Sequence, residues 1–267
     1  MAESWSMNFG KITTPKFRTD KYLPSFVNII RKETTGSTNE DIALLAKQNV
    51  EAWTVVHALE QNSGRGRHGK TWDSQRGNLF MSLLLRPAVG SRRWGELSFL
   101  SAVAVATILS EYINSQKIEV KWPNDVLING KKIAGILLEV LNFDAKAPAV
   151  VMGIGINISK KPKEFEYPVT CIQDYKNEIT SSDEVLTSLL HSFVHWFRIW
   201  ENDGFDMIRT EWMKRAYKLD GTVEVEGKNG SSAKFKFKGI DAEGAMLLYD
   251  DNGTRNLFRA GTVRFLS

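Results

Sequence analysis

A glycine-rich loop set between two strands, with no helix behind it, limits what this chain can fold into more than any other feature. The loop is Gly64–Thr71, GRGRHGKT. It satisfies G-x-x-x-x-G-K-[ST] from Gly64 to Thr71, and G-x-G-x-x-G over Gly64, Gly66 and Gly69. Both patterns hold phosphate at a helix N-terminus, so each needs a strand before the glycines and a helix after them. The strand is present: Trp53–Leu59 (WTVVHAL) is rich in β-branched and aromatic residues. The helix is not, because Trp72–Asn78 (WDSQRGN) is loop chemistry leading into a second strand-like run, 78–86. No apolar run ends in an aspartate suited to a Walker B strand. The P-loop and dinucleotide readings therefore fall away, and their underlying physics remains. Glycines let backbone N–H groups close on a ligand, while Arg65, Arg67 and Lys70 bring positive charge to the same stretch. Arginine's planar fork grips a carboxylate or phosphate with parallel hydrogen bonds. The loop should repel itself until an anion arrives; a flexible basic surface loop is the plainer alternative.

With 267 residues, 42% hydrophobic and 25% charged, the chain has room for one large domain and a small one. A net charge of +4 admits an acidic substrate without requiring nucleic acid. The single cysteine, Cys171, excludes an internal disulfide and fits a reducing cytoplasm. The longest apolar stretch, Leu97–Leu109, is interrupted by serines and falls short of the ~20 residues of a membrane span. No apolar signal segment stands at the N-terminus, so the expected location is cytoplasmic, with no membrane partner.

Residues 1–32 hold no sustained periodicity and read as an irregular lead-in. A helix starts at Ser37 or Thr38, where Ser37 and Glu40 have the spacing of a capping box. Leu97–Asn114 is apolar nearly all round and reads as a buried helix. Ile118–Trp122 is a strand halted by Pro123, and Val126–Ile128 with Lys132–Glu139 forms a hairpin about Asn129-Gly130. A further strand, Ala149–Ile158, precedes helices near Asp183–Trp200 and Met207–Tyr217. From Leu219 the texture becomes short alternating strands (Thr222–Val225, Lys234–Lys238, Ala245–Tyr249, Thr262–Leu266) with turns at Asn229-Gly230 and Asn252-Gly253. The expected architecture is α+β: a domain over 33–218 and a small β-barrel over 219–267, too small to bury much core alone.

Three segments carry polar residues where a plain core wants none. Lys121-Trp122-Pro123-Asn124-Asp125 ends a strand, Lys131-Lys132-Ile133-Ala134-Gly135 is the hairpin's return, and Gly153-Ile154-Gly155-Ile156-Asn157 puts two glycines on one strand face. Alternate glycines weaken a strand but let a ligand approach its backbone; a twisted strand packed under the buried helix fits equally well. Lys132 sits at the lip of the core, where its ammonium could neutralise a carboxylate, while Asp125 after Pro-Asn also suits a turn. His191 and His195 lie one helical turn apart without a third ligand and read as helix surface. No Ser-His-Asp or Cys-His arrangement is legible.

Taken together, Ser37-Thr38-Asn39, Glu60-Gln61 before Gly64-Arg65-Gly66-Arg67-x-Gly69, Trp72, Lys121-Trp122-Pro123-Asn124-Asp125, Lys132-Ile133-Ala134-Gly135-Ile136-Leu137-x-Glu139 and Gly153-x-Gly155-Ile156-Asn157 resemble biotin protein ligases. The motifs fall in that family's order, and the likeness runs from about residue 33 to the C-terminus. It implies a mixed, mainly antiparallel sheet with helices, similar to class II aminoacyl-tRNA synthetases, and an SH3-like C-terminal domain. It also implies an enzyme that joins biotin to ATP as biotinyl-5′-AMP and passes biotin to one lysine of a biotin carboxyl carrier domain of acetyl-CoA carboxylase or a related carboxylase. By the same resemblance Ser37, Thr38, Asn39, Gln61, Gly64, Arg65, Gly66, Arg67, Lys132, Gly135, Gly153 and Gly155 bind biotin. Arg67, Trp72, Lys121, Asn124, Lys132 and Asn157 lie by ATP or the adenylate, with Trp72 stacked on adenine. Lys132, Arg67 and Asp125 are the catalytic candidates, Asp125 orienting the acceptor lysine. Magnesium is expected with ATP, its protein ligands unassigned. The family includes monomers and homodimers, and neither is favoured here. Larger relatives carry an N-terminal helix-turn-helix; the stretch before Ser37 is too short and irregular for one, so no DNA binding is expected. Glu60, His68 and Lys70 stand where relatives differ and receive no role. Two rivals stay open: a lipoate or octanoate ligase of the same fold, and a non-catalytic nucleic-acid binder using Lys234, Lys236 and Lys238. Because those lysines alternate with Phe235 and Phe237, their plainer reading is the solvated face of a strand.

Overall fold

Apolar, β-branched runs between residues 28 and 156 supply the strands β1 (Asn28–Thr35), β2 (Thr54–Gln61), β3 (Leu79–Leu85), β4 (Ile118–Lys121), β5 (Asp125–Ile128), β6 (Lys131–Leu141) and β7 (Ala149–Ile156). The structure, a computed structural model, describes residues 17, 23–113, 116–142, 148–162, 166–226, 232–261 and 263–266. The seven strands form one sheet in the order β1-β2-β3-β7-β6-β5-β4. Only β1 and β2 run parallel, and every other neighbouring pair is antiparallel. Strands β3 and β7 are buried along nearly their whole length, as central strands covered on both faces must be.

Helix α1 (Thr38–Lys47) covers one face, where Ile42 and Ala46 pack on Val56, Leu84 and Val151. The other face carries α2 (Glu96–Tyr112), α3 (Ser182–Asp203) and α4 (Asp206–Lys214). As its all-round apolar sequence requires, α2 is buried from Leu97 to Leu109 apart from half-buried Ser98, sandwiched between sheet and α3. Ser101 and Thr107 return their hydroxyls to Leu97 O and Val103 O, so neither leaves an orphan donor in the core.

A second sheet is built from β8 (Thr222–Glu226), β9 (Ser232–Ile240), β10 (Met246–Tyr249), β11 (Arg255–Phe258) and β12 (Val263–Phe265). Its order is β11-β10-β9-β8-β12, entirely antiparallel. Trp122 ties it to the main sheet: its indole Nε1 donates to Gly244 O at 3.1 Å and its ring lies 5.7 Å from Phe258. Lys234, Lys236 and Lys238 face solvent while Phe237 is buried, as the alternation requires. Lys238 is paired with Asp220 at 2.6 Å, which compensates part of this basic strip. Among the described residues no helix is long and apolar enough to cross a membrane.

Several sequence expectations are corrected. Strand β1 starts at Asn28, inside the stretch read as a lead-in, and Phe17 is buried with its N–H donating to the Glu111 carboxylate at 3.0 Å. Ser37 takes the N-cap position of α1 with extended backbone but makes no capping bond, so the Ser37–Glu40 capping box is absent. Strand β11 was not foreseen, and α2 and α4 end at Tyr112 and Lys214, short of the expected bounds. His195 is half-buried against Phe17, with ring centroids 5.5 Å apart, rather than free helix surface. The expected hairpin is confirmed, with Asn129 and Gly130 at φ of 49° and 75°. Asn114, Thr262, the Asn229-Gly230 turn and most of residues 1–22 lie outside the described residues.

Candidate active site

Neighbouring strands β6 and β7 place Gly135 directly opposite Gly155, and Gly153 two residues along the same face. Two glycines facing each other across a ladder leave a flat patch of bare backbone, and the Trp72 indole lies on it. A Cβ on Gly155 would stand 2.5 Å from Trp72 Nε1, and one on Gly135 would stand 2.9 Å from Trp72 Cζ3. A Cβ on Gly153 would collide with Asn39 Oδ1. The bare face foreseen for a ligand is thus first a bed for two side chains, which together floor a cavity of about 220 Å³.

A polar network runs under one side of this cavity. Gln61 Oε1 accepts from Thr38 N at 2.8 Å and from Thr38 Oγ1 at 3.1 Å, while Gln61 Nε2 donates to Ser74 Oγ at 2.9 Å. The Ser82 hydroxyl lies 2.7 Å from Thr38 Oγ1 and 2.5 Å from Asn39 Oδ1. Asn39 Nδ2 donates to Glu139 Oε2 at 2.6 Å, and Arg65 reaches the same carboxylate at 2.9 Å. Each amide is fixed at both ends, so the wall presents hydroxyl and amide groups in set orientations. Two of the loop's charges are compensated locally, Arg65 by Glu139 and Lys70 by Glu166 at 3.1 Å, which relieves the self-repulsion expected of the loop.

On the opposite side stand the charges. Partner register in β5–β6 skips Ile133, pairing Val126 with Ala134 and Leu127 with Lys132. Such a bulge re-aims a side chain, and here Lys132 Nζ meets Asp125 Oδ1 at 2.7 Å. The segment after residue 165 is stitched to Lys132 by Lys132 N to Pro168 O and Thr170 N to Lys132 O, both 2.9 Å. It brings Tyr167 within reach, and Lys132 Nζ donates to the phenol oxygen at 3.1 Å. Burial opposes the Lys132 charge, yet Asp125 and Tyr167 outweigh it and hold its pKa above the ordinary lysine value. Lys121 goes the other way: burial lowers it, and Asp125 offsets that only in part. Burial also lowers Arg67, partly offset by Asp125, though a guanidinium stays charged. The Arg67 guanidinium reaches Asn124 Oδ1 only at 3.4 Å and pairs with no carboxylate among the described residues.

The cavity is lined by Ser37, Thr38, Asn39, Gln61, Arg65, Gly66, Arg67, Trp72, Lys121, Asn124, Asp125, Lys132, Gly135, Gly153 and Gly155, all picked out in the sequence. Two others fall outside the lining. Asn157 is buried with its amide turned to Thr170 O at 3.0 Å, and Gly64 is enclosed by Ser74 Oγ and Trp72 O. Sequence reasoning missed Phe80, Met81, Tyr167, Gly261 and Val263 in the lining and Ser82 in the network beneath, and gave Glu139, quoted within a motif, no role. Among the described residues no group of three His, Cys, Asp or Glu could hold a metal ion.

Residues 30–157 match the model of the Biotin/lipoate A/B protein ligase family. The biotin–[acetyl-CoA-carboxylase] ligase of Paracoccus denitrificans is 34% identical over 86% of this chain and 98% of its own length. The bifunctional ligase/repressor BirA of Bacillus subtilis is 33% identical over 87% of this chain and 73% of its own. The biotin protein ligase of Aquifex aeolicus, solved in complex with biotin and ATP, superposes with a TM-score of 0.79 at 26% identity, covering 90% of this chain and 100% of the other. With that shared sequence laid over this fold and this cavity, the chain belongs to the biotin protein ligase family.

Proposed function

We propose that this chain activates biotin with ATP as biotinyl-5′-AMP and transfers the biotinyl group to a lysine of a carboxylase carrier domain. The observation that carries the reading is one cavity whose wall of fixed hydroxyls and amides faces an excess of cationic groups, in a chain 34% identical to a biotin–[acetyl-CoA-carboxylase] ligase. Two anions, a carboxylate and a triphosphate, must meet there, and only positive charge makes that encounter favourable. A biotin carboxylate oxygen attacks the α-phosphorus, and the bond to the β-phosphate oxygen breaks with its electron pair leaving on pyrophosphate. The acceptor amine then attacks the acyl carbon, AMP departs, and the amine loses its proton.

In this account Thr38, Asn39 and Gln61 read the polar head of biotin, with Ser37, Gly66, Gly135 and Gly153 shaping its pocket. Lys132 holds the carboxylate and then the charge that develops on the acyl phosphate. Arg67 clamps the adenylate, Trp72 offers adenine a flat face, and Asn124 lies beside the nucleotide. Asp125, already holding Lys132, is the carboxylate nearest to hand for orienting the acceptor lysine, which must attack as the neutral amine. Magnesium bound with ATP would help neutralise the triphosphate, in keeping with that ion's usual reliance on few carboxylates and on substrate phosphates. The catalytic part runs from β1 at Asn28 to residue 218 in the manner of a class II aminoacyl-tRNA synthetase core, with 219–267 as an SH3-like domain and the site of action cytoplasmic. Incubating the protein with biotin, ATP and an isolated carrier domain should add one biotinyl group to that domain. Labelling that persists unchanged when the acceptor lysine is replaced by arginine would contradict directed transfer.

A further inference from the structure

Glu139, Asn39, Ser82, Thr38 and Gln61 run in one hydrogen-bonded line beneath the cavity, and the protons they share can be placed in only one order. Glu139, near the end of β6, pairs with Arg65 at 2.9 Å and stands there as a carboxylate. A carboxylate has no proton to give, so the end of the Asn39 amide lying 2.6 Å from it is the NH2 group. That leaves Asn39 Oδ1 facing Ser82 Oγ at 2.5 Å, and a carbonyl oxygen can only accept. Ser82 therefore gives its single proton to Asn39. The contact of Ser82 with Thr38 at 2.7 Å still needs a proton, and the Thr38 hydroxyl supplies it. Gln61 Oε1, farther from that hydroxyl at 3.1 Å, keeps the Thr38 backbone N–H at 2.8 Å. Ser82, Thr38 and Asn39 are 0%, 3% and 5% exposed, so bulk solvent does not reach in with another donor.

With its proton turned inward to Ser82, Thr38 offers the cavity only lone pairs. We propose that Glu139 is a positioning residue that makes the Thr38 hydroxyl an obligate acceptor, and so selects an acid whose head carries ring N–H donors. A cyclic urea, the head group of biotin, has such donors; a dithiolane or a plain alkyl end has none. This rests on the reading of biotin as substrate and deepens it by naming what sets the choice. A buried acceptor left unpaired by the wrong ligand discriminates more strongly than a misfit in an apolar pocket. The order depends on the carboxylate at its far end. A glutamine at position 139 could turn either oxygen or nitrogen to Asn39, and Asn39 would then be free to flip. The Ser82 proton could pass to Thr38, and the Thr38 proton could point at the ligand's own donors. Glu139 touches no ligand in this account and acts through Asn39, Ser82 and Thr38 in turn.

The test measures Kd for biotin and for desthiobiotin, and KM for ATP, on the full-length protein carrying Glu139→Gln, Ser82→Ala or both. Each single variant should raise Kd for biotin roughly tenfold, the scale of one misdirected hydrogen bond, with KM for ATP unchanged. Desthiobiotin, which keeps the urea and lacks the second ring, should lose as much as biotin. The combined variant should be no worse than either single one, because both release the same Thr38 proton. Glu139 and Ser82 meet only through Asn39, so two merely structural losses would multiply instead. Wild-type biotin affinity in Glu139→Gln, a multiplied loss in the combined variant, a loss confined to biotin, or an equal rise in KM for ATP would overturn the assignment. Should Ser82→Ala fail to fold, Glu139→Gln with the two acids and ATP decides alone. A wild type that binds lipoate and not biotin would sink the substrate reading and this inference together. Biotin bound by the wild type and held equally well by Glu139→Gln would leave the substrate reading standing and remove Glu139.

Discussion

Lys132→Ala should abolish adenylate formation, lowering the rate of biotin-dependent pyrophosphate release by roughly two to three orders of magnitude. That is the scale on which removal of one donor aimed at developing charge lowers an enzymatic rate. Here the effect has a second component. Lys132 is the partner of Asp125 at 2.7 Å, with their side chains only 12% and 18% exposed. Its removal takes a cation from the wall and leaves Asp125 without its hydrogen-bonded partner, so the carboxylate offsets more of the charge that Arg67 and Lys121 offer the incoming anions. A mostly buried carboxylate that loses its hydrogen-bonded partner also costs stability, on the order of a few kcal/mol. The two components separate in the double variant Lys132→Met with Asp125→Asn. Melting temperature should return toward wild type while adenylation stays absent. If Lys132→Ala released pyrophosphate at close to the normal rate, Lys132 would have no place in the mechanism.

Arg67→Gly should have a different phenotype: adenylate still forms but escapes. The Arg67 guanidinium stands in the cavity without a carboxylate partner among the described residues, and its contact with Asn124 is long at 3.4 Å. It is therefore available to a ligand phosphate, unlike Arg65, whose charge is committed to Glu139 at 2.9 Å. Losing one charge-assisted clamp costs ~1.5–3 kcal/mol, or about a tenfold to 150-fold weaker hold on the adenylate. Released adenylate acylates whatever amine it meets, so bystander proteins mixed with Arg67→Gly, biotin and ATP should acquire biotin. Bystander labelling at the wild-type level, with adenylate still being made, would remove Arg67 as the clamp.

Much of the site was legible because its chemistry is written locally. Glycines at 153 and 155 could be read as a bare strand face, and Asn129-Gly130 as a hairpin turn, since each depends on backbone conformations set by the residues themselves. What escaped depends on tertiary pairing. Glu139, quoted within a motif, has no role to read until Asn39, 100 residues away, and Arg65 are brought onto it. Tyr167 sits before a proline in a stretch with no periodicity, and only the stitching of 168–170 to Lys132 gives it a role. Strand β1 was passed over because an edge strand with one parallel neighbour is half-exposed, so its alternation is blurred by Arg31, Lys32 and Glu33. Asn157 was read toward the nucleotide, but a buried amide takes the nearest backbone partner, and here that is Thr170 O.

The central claim is that this cavity adenylates biotin. Its most direct test is the exchange of labelled pyrophosphate into ATP, run with biotin, lipoate and octanoate in parallel. Biotin alone should support exchange, and Lys132→Ala should remove it. Exchange with lipoate or octanoate in place of biotin would contradict the assignment of substrate, and no exchange with any acid would contradict the chemistry itself.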